Sequence, residues 1–226
     1  MECLEFQRYR LRHRAVIRAI LSRAQKGSLD EAAFPAYSHR NPLIHWLFWE
    51  RLAVVMRYLE AQGRFETVLD FGTGSGVMLP FLAERAGKVL AYDVDLMPLE
   101  RVAAEIPLPK NVETLDAKTH PLSSLAPRSI DLVVALDVLE HLEDLERGLT
   151  EILACLRPGG LLVASCPTEN ALYRLGRRIA GADFSGDYHE RGSKEIREAL
   201  SKLAPVETLK VLIRPVPLFE IFVAKA

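Results

Sequence analysis

The chain has 226 residues, 49% of them apolar, with a formal charge of −1, which is enough to bury one full core and gives no overall push toward nucleic acid. No run approaches the roughly 18 consecutive apolar residues of a membrane span, and the opening MECLEFQRYRLRHRA is charged too often for a secretory leader, so a cytoplasmic protein without a membrane span is expected. Cys3, Cys155 and Cys166 are odd in number and lack any C-x-x-C pair, which argues against a disulfide framework and against a zinc site; no metal is expected.

Residues 1–64 read as a helical extension or lid, and 65–226 as an α/β domain. The stretch from Glu2 to Lys26 mixes Leu11, Ile17 and Leu21 with Arg8, Arg10, Arg12, Arg14, Arg18 and Arg23, the pattern of a helix with one packed and one solvated face. A phosphate-facing stripe for nucleic acid or lipid headgroups is the other reading of those arginines. GSLDEAAFPAYSHRNP is a loop by its turn residues, and Leu43 to Gln62 is a second, aromatic-rich helix that packs on the sheet or forms a lid, with a homodimer contact left open.

From Phe65 onward, β-branched runs at 67–72, 88–94, 111–116, 130–137 and 161–167 alternate with helical segments at 77–86, 97–105, 145–156, 170–179 and 194–203. That alternation predicts a Rossmann-like three-layer sandwich, a mostly parallel seven-stranded sheet with helices on both faces. The tail breaks the rhythm. ETLKVLIRPV and LFEIFVAKA are separated by a prolyl turn too short for a crossover, so they should form an antiparallel C-terminal hairpin at one edge.

Open sheets bind ligands beyond the carboxyl ends of their strands. There, VLDFGTGSGV places Gly72, Gly74 and Gly76 just after a strand, so the main chain can turn tightly and a ligand can lie against bare backbone. Asp93 follows Asp70 by 23 positions, at the end of the next strand, where a carboxylate can accept from both ribose hydroxyls. A nucleoside-containing ligand is implied. The dinucleotide fingerprint G-x-G-x-x-G is out of register, because Val77 stands where its third glycine belongs, and no phosphate-cradling G-x-x-x-x-G-K-[ST] occurs.

VLDFGTGSGVMLPFLA, VLAYDVD, ALDVLEHLED and LRPGGLLVASCP, in this order, resemble a class I S-adenosylmethionine-dependent methyltransferase of the small-molecule type, over about residues 65–170. The resemblance implies S-adenosyl-L-methionine as cofactor. It implies that Asp70 lies near the methionine end, that Gly72, Thr73, Gly74 and Gly76 form the loop under the cofactor, that Asp93 holds the ribose with Val94 beside it among the cofactor-binding residues, that Asp116 and Ala117 contact adenine, and that Asp137 flanks the transfer site. A small-molecule acceptor is expected, with oxygen favoured over nitrogen or carbon. A general base, where the acceptor needs one, would come from His141, Tyr188, His189 or Glu140. Nucleic acid is disfavoured, since ALDV stands where the amino-methylating DNA and RNA enzymes of this family carry [DN]-P-P-[YF]. An RNA-modifying methyltransferase, an NAD-dependent oxidoreductase and a noncatalytic partner with the same fold are the rival readings.

Overall fold

The computed structural model describes residues 3–23, 41–168, 191–213 and 217–226. In chain order the elements are α1 (Cys3–Arg23), α2 (Pro42–Gln62), β1 (Phe65–Phe71), α3 (Leu79–Arg85), β2 (Ala86–Asp93), α4 (Met97–Ala103), β3 (Val112–Asp116), β4 (Ile130–Leu136), α5 (Leu145–Cys155), β5 (Leu156–Pro167), α6 (Ser193–Ser201), β6 (Val206–Leu212) and β7 (Phe219–Lys225). The anticipated helix at 170–179, together with Tyr188 and His189, lies outside the described residues.

The seven strands form one sheet in the order β3-β2-β1-β4-β5-β7-β6. The first five pair in parallel, while β7 runs antiparallel to both β5 and β6, so the expected C-terminal hairpin closes the sheet with its second strand innermost. Strand order reverses between β1 and β4, which places a ligand crevice at their carboxyl ends. Side chains alternate across the sheet as period-2 geometry demands. Val68, Val89, Leu132 and Val163 face a core shared with α1, α2, α3 and α4. Their neighbours Leu69, Leu90, Val133 and Leu162 face the core built with α5 and α6.

Of the boundaries that differ from expectation, two have clear local reasons. The strand anticipated at 161–167 begins at Leu156, directly after α5, because Ile130 pairs with Leu156 before a register shift brings Leu132 opposite Leu161. The extra residues, Arg157 to Gly160, turn through Gly159 at φ 79° and let Arg157 reach back to Asp131 at 2.6 Å. The buried Asp131 carboxylate also accepts from the backbone amides of Glu66 and Thr67, both at 2.7 Å, so it ties the start of β1 to β4. The helix anticipated at 77–86 starts at Leu79, with Pro80 in its first turn, because the glycine loop continues through Val77.

α2 begins where Asn41 accepts the Leu43 amide at 2.9 Å and Pro42 opens the first turn. Its Trp49, almost fully buried, is ringed by Phe6, Tyr9 and His13 of α1 in edge-on contacts with centroids 5.8 to 6.4 Å away. Tyr9 donates its hydroxyl proton to the Val77 carbonyl at 3.1 Å. A phenol has one proton to give, so the 3.3 Å contact between that oxygen and His13 Nδ1 requires the nitrogen to be the donor. α1 is thereby fastened to the end of the glycine loop.

Burial lowers the His13 imidazole from 6.5 to about 4. Because the folded value lies below the unfolded one, its contribution to α1 docking is complete above about pH 6.5 and is lost as pH falls toward 4. Hydrogen exchange across residues 3–23 is expected to accelerate over that window, and His13→Gln, which cannot titrate, should remove most of the acid dependence.

Candidate functional site

The crevice is built where β1 ends. Gly72, Gly74 and Gly76 adopt φ of 75°, 53° and 74°, in the left-handed region that L side chains resist. The amides of Gly72 and Thr73 both donate to the Tyr92 carbonyl, at 2.8 and 3.2 Å, and the Gly76 amide turns back to the Thr73 carbonyl at 2.8 Å. The loop is therefore clamped to the end of β2, in register with the Phe71 and Tyr92 pair.

The three glycines do different work. A Cβ on Gly72 would strike the Val138 side chain, and one on Gly76 would meet Leu99 Cδ1 at 2.5 Å, so both are demanded by packing inside the protein. A Cβ on Gly74 meets nothing within 4 Å and would project into open space. Of the three glycines expected to leave room for a ligand, only Gly74 has that open character, because Val138, just past β4, and Leu99 of α4 fill the space beside the other two.

Asp93 stands beside the open glycine. Its Oδ2 accepts the Gly74 amide at 2.8 Å and its Oδ1 accepts the Asp95 amide at 3.1 Å, leaving further lone pairs on each oxygen. Val94, which follows, is 61% exposed, a large apolar side chain presented beside the cleft. On the neighbouring strand the Ala117 amide donates to the Asp93 carbonyl at 2.9 Å, and Asp116 Oδ1 accepts the Lys118 amide at 2.8 Å. Asp93, Val94, Asp116 and Ala117 thus gather at the ends of two paired strands.

Asp70 is buried one strand further in and accepts the Thr73 hydroxyl at 2.7 Å. Loss of water pushes its carboxyl up to about 7; the Thr73 hydrogen bond pulls it down and the Asp93 charge raises it again. This is a carboxylate short of positive charge, beside a cradle that a side chain would fill. The donor set suits a group bearing a cation and a ribose, such as the sulfonium cofactor implied by the sequence.

On the other side of the switch point Asp137 also has positive φ, 55°. Its amide donates to the Ser165 carbonyl at 2.8 Å, and its Oδ1 accepts the Ser165 hydroxyl at 2.9 Å. Its other oxygen forms an ion pair with Arg51 of α2, whose side chain is almost fully buried with the guanidinium over the rings of Phe48 and Phe219, 4.9 and 5.2 Å from their centroids. His141 ends a short 3-10 turn over Leu139–His141 and is exposed, whereas Glu140 in the same turn is buried. Asp137 and His141 follow the carboxyl end of β4, and the Asp93 group stands at the ends of β2 and β3.

Sequence reasoning missed Arg51 and Tyr9. A signal for the first was present: Arg51 interrupts an otherwise apolar helix face, three residues after Phe48 and four before Val55, so its charge had to be answered inside the fold. No comparable signal marked Tyr9, whose partner is a backbone carbonyl 68 residues away.

Two measurements separate these roles. Gly72→Ala should destabilise the fold by about 2–5 kcal/mol, the sum of left-handed strain and a clash with Val138, whereas Gly74→Ala should cost only about 1–2 kcal/mol in chemical denaturation. Because the folded Asp70 carboxyl sits above its ordinary 3.8, its contribution to stability is retained at low pH and lost as pH rises through about 7. Asp70→Asn should flatten the fall in melting temperature that this group imposes between about pH 4 and pH 7.

A family model described as a methyltransferase domain matches residues 43–204. The chain is 28% identical over 129 residues to a ubiquinone biosynthesis O-methyltransferase from Bradyrhizobium sp. (strain ORS 278), covering 57% of this chain and 50% of that protein. It is 30% identical over 141 residues to a probable S-adenosylmethionine-dependent methyltransferase from Mycolicibacterium smegmatis, covering 62% and 51%. The chain spans about half the length of these curated relatives. In overall fold it is similar to the N-methyltransferase NodS from Bradyrhizobium japonicum WM9, solved with S-adenosyl-L-homocysteine, at 17% identity and a TM-score of 0.62 over 95% of this chain and 98% of that one. The glycine cradle, the strand order and the family match converge, and the chain belongs to the S-adenosylmethionine-dependent methyltransferase family.

Proposed function

We propose that this chain transfers a methyl group from S-adenosyl-L-methionine to an oxygen of a small organic acceptor, in the cytoplasm, where reducing conditions suit the buried free thiols Cys155 and Cys166. The observation that carries this reading is the open left-handed Gly74, whose amide is held by Asp93, with the cation-seeking Asp70 behind it. When bound, the cofactor supplies an electrophilic methyl on a positively charged sulfur.

The protein's part is to bind, orient and exclude water. Asp93 would accept from the ribose hydroxyls while keeping the Gly74 amide in place. Asp70 would answer positive charge at the methionine end, together with Gly72, Thr73 and Gly76 of the loop. Val94, Asp116 and Ala117 would line the adenine end. Asp137, already paired with Arg51 and Ser165, is best suited to holding position near the transfer point. His141, exposed at that end, is the candidate to accept the acceptor's proton; Tyr188 and His189 share that candidacy from a segment outside the described residues. The preference for oxygen draws on the ubiquinone O-methyltransferase relatives. Residues 1–64 act as the lid of domain 65–226, in keeping with the Tyr9 and Arg51 contacts.

Calorimetry with S-adenosylhomocysteine followed by a radiolabelled methyl-transfer screen on phenolic and amine acceptors tests the reading. Asp93→Ala should lose about 1.5–3 kcal/mol of cofactor affinity, as expected for a charged hydrogen-bond acceptor. His141→Ala should lower turnover about 10² to 10⁴-fold while leaving cofactor affinity intact. Retention of NAD in place of the adenosyl ligand, or transfer to amines alone, would overturn it.

A further inference from the structure

From Phe6 to Leu29 the chain contains no acid, yet it carries Arg8, Arg10, Arg12, Arg14, Arg18, Arg23 and Lys26, in a protein whose total charge is −1. Within α1 the inner face is accounted for: His13, Ile17 and Ile20 are buried, and Phe6 and Tyr9 pack on Trp49. On the outer face Arg8 and Arg12 are exposed, beside the apolar Leu11, 60% exposed, and Ala15.

Other surface helices of this protein balance their charge. Arg147 pairs with Glu151 at 2.8 Å on α5, while Lys194 pairs with Glu198 at 3.8 Å on α6 and Arg191, just before that helix, pairs with Glu195 at 3.4 Å, each at i,i+4 spacing. On α1 the i,i+4 positions 10, 14 and 18 are all arginine. Arg14 is made less basic first by lost solvation and then by repulsion from Arg18 and Arg10. Among the described residues, neither Arg8 nor Arg12 has an ion pair. Arg8 and Arg12 are likewise like charges at i,i+4, a spacing that opposes helix formation, so an anionic surface against the outer face would lower that cost.

We propose that the outer face of α1 docks on an anionic lipid surface, with Arg8 and Arg12 on headgroup phosphates and Leu11 and Ala15 at the acyl boundary. Arginines on headgroup phosphates supply the attraction, and the exposed Leu11 beside them adds a shallow apolar contact. RNA fits less well, because the aromatic side chains of α1 that could stack on bases, Phe6 and Tyr9, are turned onto Trp49. The helix lies in the surface plane and does not cross it, since no helix among the described residues is long and apolar enough to span a membrane. Docked so, the Tyr9 contact to Val77 holds the glycine loop about one helix diameter, roughly 10 Å, from the headgroups.

Cosedimentation of the full chain with phosphatidylglycerol/phosphatidylcholine vesicles tests this, with pure phosphatidylcholine vesicles and a single-stranded RNA as comparisons. Binding to the anionic vesicles is expected to exceed that to neutral ones at least tenfold and to fall at least tenfold in 0.5 M NaCl. The double variant Arg8→Glu with Arg12→Glu should lose it, Leu11→Ser should weaken it severalfold, and Lys194→Glu with Lys202→Glu, the same charge change on α6, should retain it. Circular dichroism confirms folding; should the double reversal unfold, Arg8→Gln with Arg12→Gln replaces it. Equal binding to neutral vesicles, no binding, equal loss in the α6 control, or tighter binding to RNA than to anionic vesicles would each overturn the proposal. None of these readouts requires methyl transfer, so this proposal and the catalytic one fail separately.

Discussion

The structure depends on how the chain leaves β1. Two consecutive amides, Gly72 and Thr73, converge on the Tyr92 carbonyl, and a third, Gly74, is taken by the Asp93 carboxylate. That arrangement is possible only in left-handed backbone, and it works only while Phe71 stays in register with Tyr92. A one-residue slip would turn every side chain to the opposite face of the sheet and move Asp93 away from the loop. Strand register and ligand geometry are thus one constraint. Val138 and Leu99, filling the space beside Gly72 and Gly76, lock it from the far side.

Around that turn the protein collects three aspartates and answers each differently. Asp93 is satisfied by backbone amides, Asp137 by a hydroxyl and by the guanidinium of Arg51, and Asp70 by a single hydroxyl in a dry setting. Two are settled internally. The third, held near neutrality of charge by burial, is the one whose environment improves when a cation arrives. The same economy of partners places Arg51 between Phe48 and Phe219, where ring faces and one carboxylate replace its lost water.

The N-terminal helices are part of this architecture. Arg51 joins α2 to the end of β4, and Tyr9 joins α1 to the end of the glycine loop, so both flanks of the crevice are held by residues that precede the sheet in the chain. The Trp49 cluster makes the two helices one layer, and the neutral, buried His13 is the polar group within it that acid would disturb.

Much of this was readable from residue order alone. Apolar period and turn residues were sufficient for the parallel strands, the final hairpin and the glycine turn, because each is a local preference repeated along the chain. The positions of Asp70, Gly72 and Asp93 followed as well, since strand ends fall at one edge of a parallel sheet. Local pattern could not tell which glycine faces the cleft, because that depends on Val138 and Leu99, residues brought near only by packing. Nor could it foresee that β5 would start five residues before its apolar run, a register shift made by Gly159 and the pull of Asp131 on Arg157. The partners of Asp137 and Val77 were likewise hidden. Arg51 and Tyr9 reach them across the first helical layer, and contacts between distant segments are decided by how side-chain volumes fill a shared core, which no period in the sequence encodes.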